Sequence, residues 1–478
     1  MLRDFIKIEI LENIKSARTI GMFVVALTLI PLSIFLNYKA FSDMKSNLSV
    51  FREKYREEFQ QAPWSKIING ETPVLGFREP SPLYIYSNGI EREIPITVEF
   101  NRFFLKYRYQ EEGGFSTILG KVDLEEIIGI IFSILALFFT YNAVSGEKES
   151  GTLRLILSNR VARYKILLGK MIGDFIIISI PLLTGFLIGL IILGLMNMSF
   201  LKGEILGRSL LLLIPSLLFI FVLVCFGLLV SCLTPNSKTS LATSFFFWIF
   251  FVLIIPSLSQ LVGPILKPVE SDYVHEKTVK NKIEDYKKDK SERLKDIYQK
   301  YMVNPGNESL WSEYAALRAP IMTELDKKFE SQIGSIEEDF NKRRLGQKKM
   351  TSLISRISPL SSFKYIFSSV CGTSDALKED FFNKSKFRQK FLVEELFDNF
   401  INDSVQVEPA FKGKVPNTVI GNIPGKKLLK KEDVLLFEFD PLKISFIHSV
   451  FPDFIWLAFM GLAFFMGSYF LFIKYDVR

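Results

Sequence analysis

Hydrophobic and polar positions in this chain alternate in blocks: runs nearly free of charge are separated by stretches dense in lysine and glutamate. The apolar runs fall at Thr19–Tyr38, Glu126–Val144, Met171–Met196, Ser209–Leu233, Leu241–Gly263 and Phe451–Ile473. A run of about 20 such residues makes a helix of about 30 Å, the thickness of the hydrocarbon core of a bilayer. The pattern predicts an all-α polytopic membrane protein with six transmembrane helices, numbered 19–38, 126–144, three within 171–263, and 451–473. Ahead of the first run, Leu2, Phe5, Ile6, Ile10 and Ile14 share one helical face, while Arg3, Lys7, Glu12 and Lys15 share the other. That stripe predicts an amphipathic helix over residues 1–18 lying in the membrane interface. A cleaved signal peptide fits poorly, because the basic region is long, contains acids and is followed by no small-residue cleavage site.

Charge then sets the orientation. Arg3, Lys7, Lys15 and Arg18 precede the first run, Lys148, Arg154, Arg160, Arg163, Lys165 and Lys170 lie between the second and third, Lys238 lies between the fourth and fifth, and Lys474 and Arg478 follow the last. With six spans all of these fall on one side, which places both termini, the 145–170 loop and the 474–478 tail in the cytoplasm. Residues 39–124 and 265–445 become two extracytoplasmic insertions. The first opens with a charged helical stretch, Lys39–Gln61. Proline and glycine follow from Pro63 to Gly89, and the alternation of Ile94, Ile96, Val98 and Phe100 reads as a short strand. In the second, Tyr273–Met302 and a stripe at Leu310, Tyr314, Leu317, Ile321, Leu325, Phe329, Ile333, Ile336 and Phe340 flank Asn304, Pro305 and Gly306, predicting a helical hairpin. The insertions should therefore be mainly helical, with a little β in the first. Ser358–Cys371 is apolar but too short to span, and is expected to lie on or dip into the outer leaflet.

Composition removes several classes of function. The net charge is +8, yet lysine and arginine are scattered and no basic stripe interleaves with aromatics, so anionic lipid is the expected acidic partner and nucleic acid is not. Cys225, Cys232 and Cys371 match no metal or disulfide spacing, and His275 and His448 are too isolated for a triad or zinc site. The spans hold almost no ionisable residues, which argues against an intramembrane enzyme; Asp174 is expected at the interface. Pro31, Pro181, Pro215 and Pro256 sit where they could kink spans, and Phe245, Phe246, Phe247, Trp248, Phe250 and Phe251 suggest lipid contact or dimer packing.

The loop from Gly146 to Lys170 carries the most information. Acids come first, Gly151 breaks the run, a short amphipathic helix follows, and basic residues precede the next span. A helix lying across a cytoplasmic mouth could offer Leu153, Ile156 and Leu157 to the groove of a partner, with Glu147, Glu149, Arg154 and Arg160 fixing the register. The loop resembles the signature of type-two ABC exporter permeases at Glu147, Glu149, Gly151, Thr152, Leu153, Ser158, Arg163, Gly169 and Lys170. Phe77–Leu83 with Gly89, Ser358-Pro359 to Gly372-Thr373, and Tyr475–Arg478 further resemble a subgroup with large outer insertions. That subgroup is similar to the permeases of nitrous oxide reductase maturation and of gliding machinery.

The resemblance implies a non-catalytic, multi-pass subunit of the bacterial inner membrane. Such a subunit would pair with a second permease copy or a related permease, and its loop, including Arg154, Leu157 and Arg160, would couple to a separate ABC ATPase. ATP and magnesium are then expected on that ATPase, with no cofactor on this chain, and the sequence contains no Gly-x-x-x-x-Gly-Lys-Ser/Thr phosphate cradle. An exporter is the first expectation. A mechanotransducer or sensor that acts on an extracytoplasmic protein and moves no substrate is the alternative, motivated by the large outer mass.

Overall fold

A computed structural model of the chain describes residues 2–63, 66–67, 72–101, 105–109, 122–158, 162–302, 308–393, 437–443 and 447–475. Two helices open the chain, α1 (Leu2–Ile14) and α2 (Ala17–Gln61), divided at Ser16, whose hydroxyl accepts from the Thr19 amide and caps the second. Strands β1 (Val74–Arg78), β2 (Thr97–Phe100) and β3 (Leu105–Arg108) follow. The second span comprises a helical turn at Leu124–Glu126, a π-helical turn at Ile127–Phe132 and α3 (Ser133–Thr140). Next come α4 (Ser145–Ser150), α5 (Thr152–Ser158), α6 (Arg163–Met196), α7 (Gly203–Leu211) and α8 (Leu213–Leu233). The fifth span is α9 (Ser237–Trp248), a second π-helical turn (Ile249–Ile254) and α10 (Ile255–Leu266). The outer hairpin α11 (Asp272–Met302) and α12 (Glu308–Ser355), then α13 (Pro359–Cys371), α14 (Asp375–Leu392), β4 (Glu438–Phe439) and α15 (Ile447–Lys474) complete the order.

Among the described residues, six helices are long and apolar enough to cross a membrane: Ala17–Gln61, Leu124–Ser150, Arg163–Met196, Gly203–Leu233, Ser237–Leu266 and Ile447–Lys474. The chain is an all-α polytopic membrane protein with little strand. In lipid, hydrophobicity does not drive helix against helix, so close packing must hold the bundle together. α8 runs through its centre, with Phe219, Ile220, Val222, Val224, Cys225 and Leu228 buried among α3, α6 and α15. Pro31 and Pro181 lie inside the unbroken helices α2 and α6, whereas Pro256 occupies the first turn of α10, where its missing N–H costs little.

The structure departs from the sequence expectation in four places. First, α2 is continuous for 45 residues, so the first span runs straight into the outer body. Second, the two insertions build one body rather than two. Their strands form a sheet in the order β3-β2-β1-β4, with β1 antiparallel to β2 and parallel to β4, pairing Phe77 with Glu438. The expected strand begins at Thr97 rather than Ile94, and β1 and β4 were not anticipated. One core joins Leu48, Tyr55 and Phe59 of α2 to Val74, Phe77, Val98 and Phe100 of the strands and to Leu377 and Phe381 of α14. Third, α13 is not in lipid but inside the protein, with eleven of its thirteen residues buried. Within it the Ser368 hydroxyl donates to the Lys364 carbonyl at 2.7 Å, and the Ser358 hydroxyl caps its start by accepting from the Ser361 amide at 3.4 Å. Fourth, Trp248 turns inward and donates to the Ser133 hydroxyl at 2.8 Å, while Phe245, Phe246 and Phe250 stay exposed.

The expected hairpin is present: α11 and α12 pack together around Tyr286, Leu325, Phe329 and Ile333. The Asn304–Gly306 turn lies outside the described residues, as do Arg160 and residues 476–478 of the terminal motif.

Candidate functional site

The elbow between the second and third spans is built by Gly151. Its φ of +76° is the left-handed conformation that ends α4, with its amide bonded to the Lys148 carbonyl, and lets α5 leave at an angle. An L-residue there is strained whatever space surrounds it. Just past the break, the Thr152 hydroxyl pairs with the Ser150 hydroxyl at 2.8 Å, and the Ser158 hydroxyl donates to the Leu155 carbonyl at 2.8 Å.

Around this elbow the sequence-chosen residues divide into two groups. One group wires the elbow to the other cytoplasmic segments. Lys170, mostly buried, forms ion pairs with Glu147 of α4 at 2.7 Å and Glu9 of α1 at 3.3 Å. Gly169 makes that approach possible, because a Cβ there would sit 2.7 Å from Cβ of Phe5 in α1. Glu149 accepts from the Ser237 amide at 2.9 Å and so ties α4 to the start of the fifth span. Arg163 donates to the carbonyls of Ile473 at 2.5 Å, Tyr475 at 3.1 Å and Phe472 at 3.4 Å, capping the end of α15. The other group faces outward: Thr152, Arg154 and Ser158 are exposed, and Leu157 is half-buried.

The apolar stripe of α5 exists but points inward. Leu153 is fully buried against Val144, Ile166, Leu167, Cys232 and Phe472, with Ile156 and Leu157 packed beside it. It is therefore a structural anchor and not a side chain offered to a groove, because four spans converge on it. Leu155, which the stripe excluded, is the exposed apolar residue, at 69% of its free surface.

Several residues that hold the site were not singled out from sequence. Lys148 donates to the carbonyls of Cys232 at 2.5 Å and Thr234 at 3.2 Å, and lies 5.3 Å from the Tyr475 ring. The Ser231 hydroxyl accepts from the amides of Val144 and Ser145, both at 3.0 Å. Asp174 is fully buried, and Asn13 of α1 donates to it at 3.3 Å. Lysine between two glutamates at a span end and serine at the end of the fourth run are signals in the sequence, but neither says which carbonyls or amides lie near. The spans also contain more buried charge than expected, since Asp453 of α15 is 2% exposed and paired with Arg356 at 2.5 and 3.1 Å.

A six-span bundle whose elbow is bonded to α1, to the fourth-to-fifth-span connection and to the end of the last span defines a multi-pass membrane protein. The chain belongs to the ABC-2 family of transporter proteins, whose family pattern matches residues 5–477. Over 74 residues it is 36% identical to the probable ABC transporter permease protein NosY of Stutzerimonas stutzeri, and 35% identical to the protein of the same name from Pseudomonas aeruginosa. Each match covers 15% of this chain and 27% of the relative, so the chain matches about a quarter of the length of these curated relatives.

Proposed function

We propose that the chain is the membrane subunit of an ATP-driven ABC exporter, with α4 and α5 as the docking surface for a separate ATPase that carries the ATP and magnesium. The observation that carries this reading is the elbow itself: Arg154, Leu155 and Ser158 project from a helix whose opposite face is locked into four spans. A push on α5 would reach α1 through Glu147, Lys170 and Glu9, the fifth span through Glu149 and Ser237, and the last span through Arg163. In this reading the termini and the elbow are cytoplasmic, the membrane is a bacterial inner membrane, and the exposed Phe245, Phe246 and Phe250 face a second permease copy or lipid.

A second reading has its own support. Thr351 of α12 lies against Gly263 of α10 so closely that a Cβ on the glycine would be 1.9 Å from the threonine hydroxyl, which seats the outer hairpin directly on the fifth span. A mechanotransducer acting on an extracytoplasmic protein would need such a connection, whereas a simple exporter would not. Reconstitution of the chain with its ATPase in vesicles tests both. The exporter reading expects ATP hydrolysis that responds to substrate and accumulation of that substrate, both lost in Glu149→Ala. Hydrolysis and stable capture of an outer protein without accumulation would instead establish the mechanotransducer, and Glu149→Ala complexes with unchanged assembly and turnover would remove the docking role from either.

A further inference from the structure

α13 is fastened to the bundle on every side and to the outer body at one end. At its start, Arg356 makes the two-point ion pair with Asp453 of the last span, and the Trp456 indole donates to the Arg356 carbonyl at 2.7 Å. Along its length, the Phe363 ring stacks on Phe219 of α8 with centroids 4.7 Å apart. Leu360 fills the space beside Gly129, where a Cβ would come within 2.6 Å of its Cδ1. The same helix also packs on the π-helical turn of the fifth span, Ile249–Ile254, so both π turns touch it. At its end, the Cys371 carbonyl accepts from the Ser81 hydroxyl at 2.6 Å, and the Ile90 amide donates to the Thr373 carbonyl at 2.9 Å. Only Gly372, Thr373 and Ser374 separate α13 from α14, whose Leu377 and Phe381 lie in the outer core.

We propose that α13 is the transmission element between the spans and the outer body, and that the two π-helical turns are the points at which the second and fifth spans yield. The mechanics follow from the packing. A π turn holds one residue more than an α-helical turn, and such turns concentrate at functional sites. Its return to α-helix rotates the rest of the span by about 100° and shifts it by about 1.5 Å. α13 lies against both turns, so it must move when either changes register. The three-residue connection and the bonds at Ser81 and Ile90 leave no slack, so the β1–β4 sheet and α14 move with it. The device rests on the ATP-driven reading above and states how that drive reaches the outer insertions.

The test locks α13 to the second span with a disulfide between Gly129→Cys and Leu360→Cys, in a chain whose Cys225, Cys232 and Cys371 are alanine. Hydrogen exchange of β1, β2 and α14 is measured in the ATPase complex with and without ATP and vanadate. The reduced protein should show a vanadate-dependent change in these segments. Oxidation should abolish that change while hydrolysis stays within about twofold, and dithiothreitol should restore it. An outer-body response that survives oxidation overturns the transmission role. No response in the reduced protein overturns the ATP-driven reading and the role with it, and the two failures are thereby distinguished. Should the double-cysteine chain not fold, Arg356→Gln/Asp453→Asn releases the other end of α13; a response undiminished in that variant also overturns the role.

Discussion

Removing the cation from the cluster beneath the elbow should be among the most disruptive single changes around it. In Lys170→Met, Glu9 and Glu147 keep their carboxylates at the α1–α4–α6 junction and lose the lysine that pairs them. At 2.7 and 3.3 Å, and an effective dielectric of about 20, the two attractions are each about 5–6 kcal/mol before desolvation. Burial offsets much of this, and breaking a buried pair by removing one partner costs about 3–5 kcal/mol net, because the remaining charge is stranded. Unfolding in mixed detergent micelles, followed by tryptophan fluorescence, should show a loss of that size. Lys170→Met/Glu9→Gln/Glu147→Gln should return to within about 1 kcal/mol of the native chain, since no charge is then left unpaired by the change. Hydrogen exchange should locate the single-variant damage in α1. Equal stability of Lys170→Met and the native chain, or a triple variant no better than the single one, would refute the reasoning.

Three further outcomes follow from the same geometry. Gly151→Ala should strain the elbow by about 1–2 kcal/mol through its positive φ alone, because nothing lies within 4 Å of its Cβ position; Gly151→Pro, which cannot adopt that φ, should uncouple hydrolysis from its response to substrate. Arg163→Ala should leave the last carbonyls of α15 uncapped, seen as faster amide exchange at Phe472–Tyr475 with the outer body unchanged. Asp123, buried at the outer mouth and bonded to the amides of Asn88 and Glu126, has its carboxyl raised by burial from 3.8 to about 6. A folded value above the unfolded one means that its stability contribution is complete below the unfolded value and lost as pH rises through the folded one. The melting midpoint should therefore fall between about pH 4 and about pH 7, and the fall should be smaller in Asp123→Asn.

Features that depend on local pattern were legible in the sequence. The span count needs only run length and charge, and the α11–α12 hairpin needs only a stripe of period three to four such as Leu325, Phe329 and Ile333. Features set by distant pairing were not. β4 is two residues long and joins β1 across some 360 positions, so no window of sequence could reveal that the insertions share a sheet. Burial is equally nonlocal: α13 has the composition of a helix resting on lipid, and only the presence of α8 and α15 around it decides otherwise. In the docking loop, periodicity identified one apolar face of α5 correctly as a stripe at Leu153, Ile156 and Leu157. It carried no sign of direction, and the packing of Val144, Leu167 and Phe472 turned that face inward. Glu149, Arg163 and Lys170 were chosen as part of a motif; their structural partners, Ser237, the carbonyls at the end of the last span and Glu9, lie 88 to 312 residues away.

The central claim is that α5 presents an ATPase-docking surface on the face away from its buried leucine. A photo-crosslinking amino acid at position 155, exposed, and in a separate chain at position 153, buried, tests it in native membranes. Capture at 155 of a protein containing a phosphate-binding Gly-x-x-x-x-Gly-Lys-Ser/Thr loop, with none at 153, is the predicted result. A chain that folds and inserts normally yet captures no such ATPase from 155 would contradict the account.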